Sequence, residues 1–303
     1  MSRAWLAATA LAGALAAAAG LAPAASTPEL ANPGAGIAAP VDEAILRIPL
    51  TVPAPGGDQR LLLEATLFRP EGPGPFPLAV INHGSPRDPA VRRLWGRTRF
   101  YPQTRWFIER GLAVLVPMRR GYGESEGEWA EGIGPCDDAD FLRAGAETAR
   151  DIGAAVRFVA SRPEVEARRV LLVGVSAGGF GSLALASQRV DGLAGVVNFS
   201  GGRGSQATGW NCSPQRLVEA MAWYGRTAQV PTLWIYAQND GFFSPPLVRE
   251  MYGAFGRAGG RAQLLMLPPY GQDGHALFAS ADSSLLWGPA VERFLVEVGL
   301  RTR

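Results

Sequence analysis

Lysine is missing altogether: all 29 basic side chains among the 303 residues are arginines. No phosphate-cradling G-x-x-x-x-G-K-[ST] loop can therefore be present. Histidine and cysteine are scarce, with only His83 and His275 and only Cys136 and Cys212. They lie far apart and lack the spacing of metal ligands, so neither a metal nor a cofactor is expected. An excess of one charge is lacking as well. The net charge is +2, with no basic patch or charge block, which argues against nucleic acid and acidic membrane surfaces as partners.

The longest apolar run is at the front. After Arg3 comes the charge-free stretch AWLAATALAGALAAAAGLAPA, which closes on Ala22-Pro23-Ala24. That pattern reads as a secretory signal peptide cut near Ala24 or Ala25. An uncleaved anchor is the competing reading for a run of this length; the alanine richness and the small-residue exit favour cleavage. No cysteine follows the run to accept a lipid, and no later segment is long and apolar enough to span a bilayer. The chain thus divides into a signal peptide (1–24), a Pro/Gly/Ala-rich linker (25–41) and one large unit (42–303). The mature protein is expected in the periplasm or medium, free of the membrane. In an oxidising compartment the two cysteines are expected to pair as Cys136–Cys212.

Two strand-like runs at 44–52 and 60–68 flank the turn-forming PAPGGD and predict a hairpin. Apolar strands then follow at 78–82, 112–117, 170–175, 194–200, 232–237 and 262–268, separated by helical periodicity at 99–110, 143–161, 177–189, 245–258 and 285–298. Near-continuous apolar strands alternating with helices predict an α/β fold with a mostly parallel sheet covered on both faces. Two segments, 128–141 and 201–230, exceed plain crossovers and read as small cap-like insertions over the carboxyl edge of the sheet. Each carries one cysteine.

The stretch RVLLVGVSAGGFGS, at 169–182, ends an apolar run on a serine among small residues. Gly174-Val175-Ser176-Ala177-Gly178 fits the G-x-S-x-G elbow, in which serine occupies a strained strand-to-helix turn that leaves no room for neighbouring side chains. A serine hydroxyl needs a base, and the base needs an orienting carboxylate. In the chain order serine, acid, histidine, the base is His275 and the acid is Asp240, directly after the strand at 232–237. Asp273 is the rival acid, but two residues before the histidine is a poor position for reaching its ring. Oxyanion donors are expected from the backbone N–H groups of Ala177 and of Ser85, the latter in HGSPRD after the strand at 78–82. His83 is expected to bond that loop and, with Tyr122, to stand near the substrate pocket. Arg119 and Arg120 read as structural ion-pair partners.

Gly-Val-Ser-Ala-Gly, the upstream His83-Gly84, the RRGYGESEG stretch at 119–127 and the ordered Asp240 and His275 together resemble the α/β-hydrolase superfamily. Over roughly residues 42–299 the chain is similar to dienelactone-hydrolase-like and prolyl-oligopeptidase-like serine hydrolases. The resemblance implies a central sheet of about eight strands with a nucleophile elbow. Dienelactone hydrolases carry cysteine where Ser176 stands, so their lactone activity is not implied, and the chain has no room for the propeller of prolyl oligopeptidases. The expected activity is hydrolysis of a small-molecule carboxylic ester. The alternatives are a secreted peptidase or amidase of the same fold, and a non-catalytic binding protein that kept the fold.

Overall fold

A computed structural model describes residues 42–300; the expected signal peptide and linker lie outside the described residues. The hairpin is present as β1 (Glu43–Val52) and β2 (Gln59–Phe68), paired antiparallel from Glu43↔Phe68 to Val52↔Gln59. Next come β3 (Phe76–Asn82), the short α1 (Val91–Leu94), α2 (Tyr101–Ile108), β4 (Ala113–Pro117) and α3 (Phe141–Ala160). The elbow joins β5 (Val165–Val175) to α4 (Ala177–Ala186) and leads to β6 (Leu193–Phe199). The insertion after β6 contains a small hairpin, β7 (Ser205–Ala207) and β8 (Trp210–Asn211), followed by α5 (Pro214–Thr227). The last elements are β9 (Thr232–Ala237), α6 (Pro245–Arg257), β10 (Ala262–Leu267) and α7 (Ser284–Glu297).

Eight strands form one sheet in the order β1-β2-β4-β3-β5-β6-β9-β10. Only the β1–β2 and β2–β4 pairings are antiparallel; the others are parallel. Side chains alternate across each strand, so two cores arise from one sequence run. On β5, Leu172 faces the core built with α3, α4, α5 and α6, while Leu171 and Val173 face the core built with α2 and α7. Strands buried on both faces must be apolar throughout, which is why β4 and β9 are buried at every position.

Helix boundaries follow local chemistry. Asp140 caps α3 by accepting from the Arg143 amide, and Pro102 sits in the first turn of α2, where its missing N–H leaves no bond unmade. The β7–β8 hairpin was not expected from the sequence. Its strands are three and two residues long, too short to show a period of two.

Candidate active site

Ser176 stands between β5 and α4 with φ 54° and ψ −122°, a conformation that L-residues rarely adopt. Its amide donates to Phe199 O at 2.9 Å, and its carbonyl accepts from Phe180 and Gly202, which together hold the strained turn. The flanking glycines answer to space. A Cβ on Gly178 would come within 2.1 Å of Asn82 O and 2.5 Å of His83 O, and one on Gly174 within 2.4 Å of Gly178 O. The elbow therefore presses directly on the end of β3.

Asp240 follows β9, and its Oδ1 accepts from the amides of Phe242 at 2.8 Å and Phe243 at 3.0 Å. His275 lies in a single 3₁₀ turn, Gly274–Ala276. Its Nδ1 is 3.0 Å from Asp240 Oδ1 and 3.2 Å from Oδ2. Burial raises the Asp240 pKa, but the adjacent His275 and the hydrogen bonds from His275, the Phe243 amide and Ser200 outweigh it and hold the carboxyl below the usual range. The other ring nitrogen of His275, Nε2, is buried without a hydrogen-bond partner among the described residues. Asp273 is occupied elsewhere: its Oδ1 accepts from the Gly241 amide at 2.8 Å and the His275 amide at 2.9 Å, tying the acid and base loops together.

The loop after β3 runs against the nucleophile. A Cβ on Gly84 would lie 3.3 Å from Ser176 Cβ. Ser85, Ser176 and Ala177 line one cavity of about 110 Å³ with Phe242 and Phe243. Both phenylalanines contact the His275 ring, Phe242 in a face-to-face stack at 3.7 Å and Phe243 tilted at 5.8 Å. Ser176 and the expected oxyanion loop thus share one cavity at the carboxyl edge of the sheet, where open α/β sheets bind ligands, and the Asp240–His275 pair does not line it but packs against its Phe242 and Phe243 wall.

His83 and Tyr122 do not line that cavity, contrary to the expectation for the pocket. Both are fully buried, so neither offers surface to a substrate. His83 Nδ1 is 2.7 Å from Gly84 O, and its Nε2 accepts from the Arg119 amide at 3.2 Å. This pairing requires the Nδ1–H tautomer. Burial, reinforced by the Arg119 charge, pushes its pKa down to about 3. The Tyr122 hydroxyl is hydrogen-bonded to Ser85 Oγ at 2.8 Å and supports the loop from behind.

A buried ion cluster braces the same loop. Arg119 donates to His83 O at 2.7 Å and Gly84 O at 3.1 Å, and its Nε pairs with Glu131. Arg203 adds a bond to Glu131 Oε2 at 2.7 Å. Burial raises the Glu131 pKa, yet Arg119 and Arg203 overcome this and draw it down to about 2. Arg120 pairs with Asp151 and Glu147. Sequence reading missed Glu131, Arg203, Arg87, Arg92 and Phe242, all of which line the cavity. Two signals were available: Phe242 lies two residues after Asp240, and Arg87 two after Ser85.

Cys136 and Cys212 lie at bonding distance with Cα atoms 4.8 Å apart, joining the 128–141 segment to the end of the β7–β8 hairpin.

Such an elbow on such a sheet defines a serine hydrolase of the α/β-hydrolase fold. More particularly, the chain belongs to the X-Pro dipeptidyl-peptidase (S15) family, whose model matches residues 58–231. Among solved structures the chain is similar to a Pyrococcus furiosus esterase, with 17% identity, TM-score 0.58, and coverage of 84% of this chain and 92% of that one. A putative dienelactone hydrolase from Klebsiella pneumoniae is similar at 18% identity and TM-score 0.55, covering 84% and 99% of the two chains. Est1E from Butyrivibrio proteoclasticus, solved with ferulic acid bound, is similar at 18% identity and TM-score 0.57, covering 80% and 97%. No curated protein sequence matches the chain.

Proposed function

We propose that this chain is an exported esterase that cleaves carboxylic esters through Ser176, His275 and Asp240. The observation that carries the reading is the oriented pair: His275 is locked by Asp240 through Nδ1, while its Nε2 is buried with no partner among the described residues. That nitrogen is the one free to take a proton. In the proposed cycle His275 Nε2 accepts the Ser176 hydroxyl proton as Oγ attacks the ester carbonyl. The amides of Ala177 and Ser85 stabilise the oxyanion, and the N-terminal end of α4 adds its dipole. Collapse breaks the ester bond, and the alcohol leaves with the proton from His275. Water, deprotonated by His275, then releases the acid and returns Ser176 to its starting state. Asp240 stabilises the imidazolium throughout.

Export is supported by the charge-free front run and by the Cys136–Cys212 pair, which an oxidising compartment would keep bonded. The ester reading takes support from the similar structures, which are named as esterases and a dienelactone hydrolase. The family's name favours a second reading, removal of an X-Pro dipeptide. A substrate ammonium would call for a free carboxylate in the cavity. Glu131 lines it but is already bonded to Arg119 and Arg203, which supports the ester.

Fluorophosphonate treatment followed by peptide mapping tests the nucleophile, and initial rates on para-nitrophenyl esters against X-Pro anilides test the bond. A single adduct on Ser176 with ester turnover is expected. Labelled Ser176 with anilide turnover alone would move the assignment to the peptidase, and an unlabelled folded protein would favour a binding role.

A further inference from the structure

The cavity beside Ser176 is lined by three arginines, Arg87, Arg92 and Arg203, and by one carboxylate, Glu131. Glu131 is consumed inside the wall. It pairs with Arg119 and Arg203, accepts from the Tyr122 hydroxyl at 3.2 Å, and its backbone carbonyl accepts from Arg203 Nη1 at 3.0 Å. Arg87 and Arg92 are different. Among the described residues neither has a carboxylate within ion-pair distance.

Both guanidinium groups are nonetheless held in place. Arg87 lies over the Phe242 ring at 3.6 Å and Arg92 over the Trp129 ring at 3.5 Å. Stacking fixes a guanidinium plane while leaving its in-plane N–H donors available. Arg87 uses Nη2 on Ser205 Oγ at 2.8 Å and on Gly241 O at 3.5 Å. Among the described residues the Nε atoms of Arg87, Arg92 and Arg203 are all buried without a hydrogen-bond partner. Partly desolvated cations with unmet donors are costly unless something anionic meets them. The acids whose charges act on Arg87 are engaged elsewhere: Asp273 with two backbone amides, and Asp240 with His275. Asp88, whose charge acts on Arg92, accepts from the Ala90 amide at 2.9 Å.

We infer that the ester cleaved at Ser176 carries a carboxylate of its own, held by Arg87 and Arg92 at the mouth of the cavity. The inference rests on the ester reading above and names its substrate class: short half-esters of dicarboxylic acids, rather than neutral alkanoates. A cavity of about 110 Å³ suits a short acid. Stacked arginines supply the planar donor pair that a carboxylate accepts, and a site built around unmet donors discriminates strongly against an analogue that lacks the acceptor.

The test compares para-nitrophenyl hemisuccinate with para-nitrophenyl butanoate, which share the reacting bond and differ by the terminal charge. The wild-type protein is expected to show kcat/KM at least about tenfold higher for the hemisuccinate. In Arg87→Gln and in Arg92→Gln that ratio is expected to fall about tenfold or more. Two variants on separate elements, with melting temperatures checked, keep one misfolded protein from deciding the outcome. Succinate should inhibit butanoate hydrolysis competitively and lose potency in both variants. Equal rates on the two esters, or a preference surviving in both variants, overturns the inference and leaves the esterase standing. Turnover of neither ester, with Ser176 unlabelled by fluorophosphonate, overturns the ester reading and this inference with it.

Discussion

The imidazole of His275 lies flat on the ring of Phe242, with 3.7 Å between centroids and 8° between planes. The Arg87 guanidinium sits 3.6 Å from the same ring centroid, and two groups that close cannot share one face, so Phe242 is sandwiched. Asp240 fixes the imidazole at Nδ1, and Phe242 fixes its tilt. Phe242→Ala removes the second constraint, and kcat on an ester should fall about tenfold as the base wanders from its line of attack. Phe242→Tyr keeps the ring and should keep most of the rate. Steady-state kinetics on the two variants decide; an unchanged kcat in Phe242→Ala denies the ring a positioning role.

Two acids bond to His275 at different places, Asp240 to the ring and Asp273 to the backbone amide. Asp240→Asn should cost about 10⁴-fold in kcat, because the amide no longer selects the Nδ1–H tautomer or stabilises the imidazolium. Asp273→Ala frees the Gly241 and His275 amides, and the lost cap should cost about 1 kcal/mol of stability with a much smaller effect on rate. Measured side by side, a larger rate loss in Asp273→Ala would exchange the two roles.

The elbow glycines are dictated by contact distances, and a paired substitution shows it. Gly178→Ala drives a methyl into two carbonyl oxygens of the β3 end, at 2.1 and 2.5 Å, so little folded protein is expected. Gly256→Ala, in α6, meets nothing within 4 Å and should be neutral or more stable by about 0.5 kcal/mol. Thermal melts of both proteins check the contrast.

Much of this arrangement could be read from residue order. Continuous apolar runs are legible because a strand buried on both faces tolerates little else, and the elbow is legible because its glycines answer to space within a few residues. Asp240 and His275 follow from scarcity: few histidines were on offer, and one acid ended a strand. The arginine wall was not legible. Arg87, Arg92 and Arg203 lie on three segments, and nothing local separates a stacked, unpaired arginine from the Arg119 that neutralises Glu131. Tyr122 was misplaced for the same reason, since a tyrosine in a glycine-rich loop reads alike in front of a pocket or behind it.

The Cys136–Cys212 pair joins the segment carrying Trp129, Glu131 and Ile133 to the hairpin carrying Ser205 and Gln206, which are opposing stretches of cavity wall. Closing a loop across a separation of 76 residues should contribute roughly 4 kcal/mol through the unfolded chain. In a chain of this size that is a drop of roughly 8 °C in Tm on reduction. Calorimetry with and without reductant measures it. A Tm insensitive to reductant, together with free thiols in the denatured protein, would show that the bridge does not form.

Acid should destabilise the protein through two buried groups behind the loop that follows β3. The His83 pKa is pushed from 6.5 to about 3 by burial and then by Arg119, so it stays neutral when folded, whereas an unfolded chain takes up its proton below pH 6.5. Its contribution to stability is therefore lost progressively from pH 6.5 towards 3. Glu131, with burial overcome by Arg119 and Arg203, is drawn from 4.5 to about 2, so its contribution is complete above pH 4.5 and drains away towards pH 2. In both cases the unfolded state binds more protons across the window, so stability falls as pH falls. The windows overlap between pH 4.5 and 3; Asp151, whose pKa burial raises from 3.8 to about 6, works the other way above pH 3.8, so the melting temperature should drop most steeply between pH 3.8 and 3. In Glu131→Gln the overlap disappears: the protein should melt lower at neutral pH, because Arg119 and Arg203 lose their carboxylate, and its decline between pH 4.5 and 3 should be shallower. A variant curve running parallel to the wild type through that interval would remove Glu131 from the account.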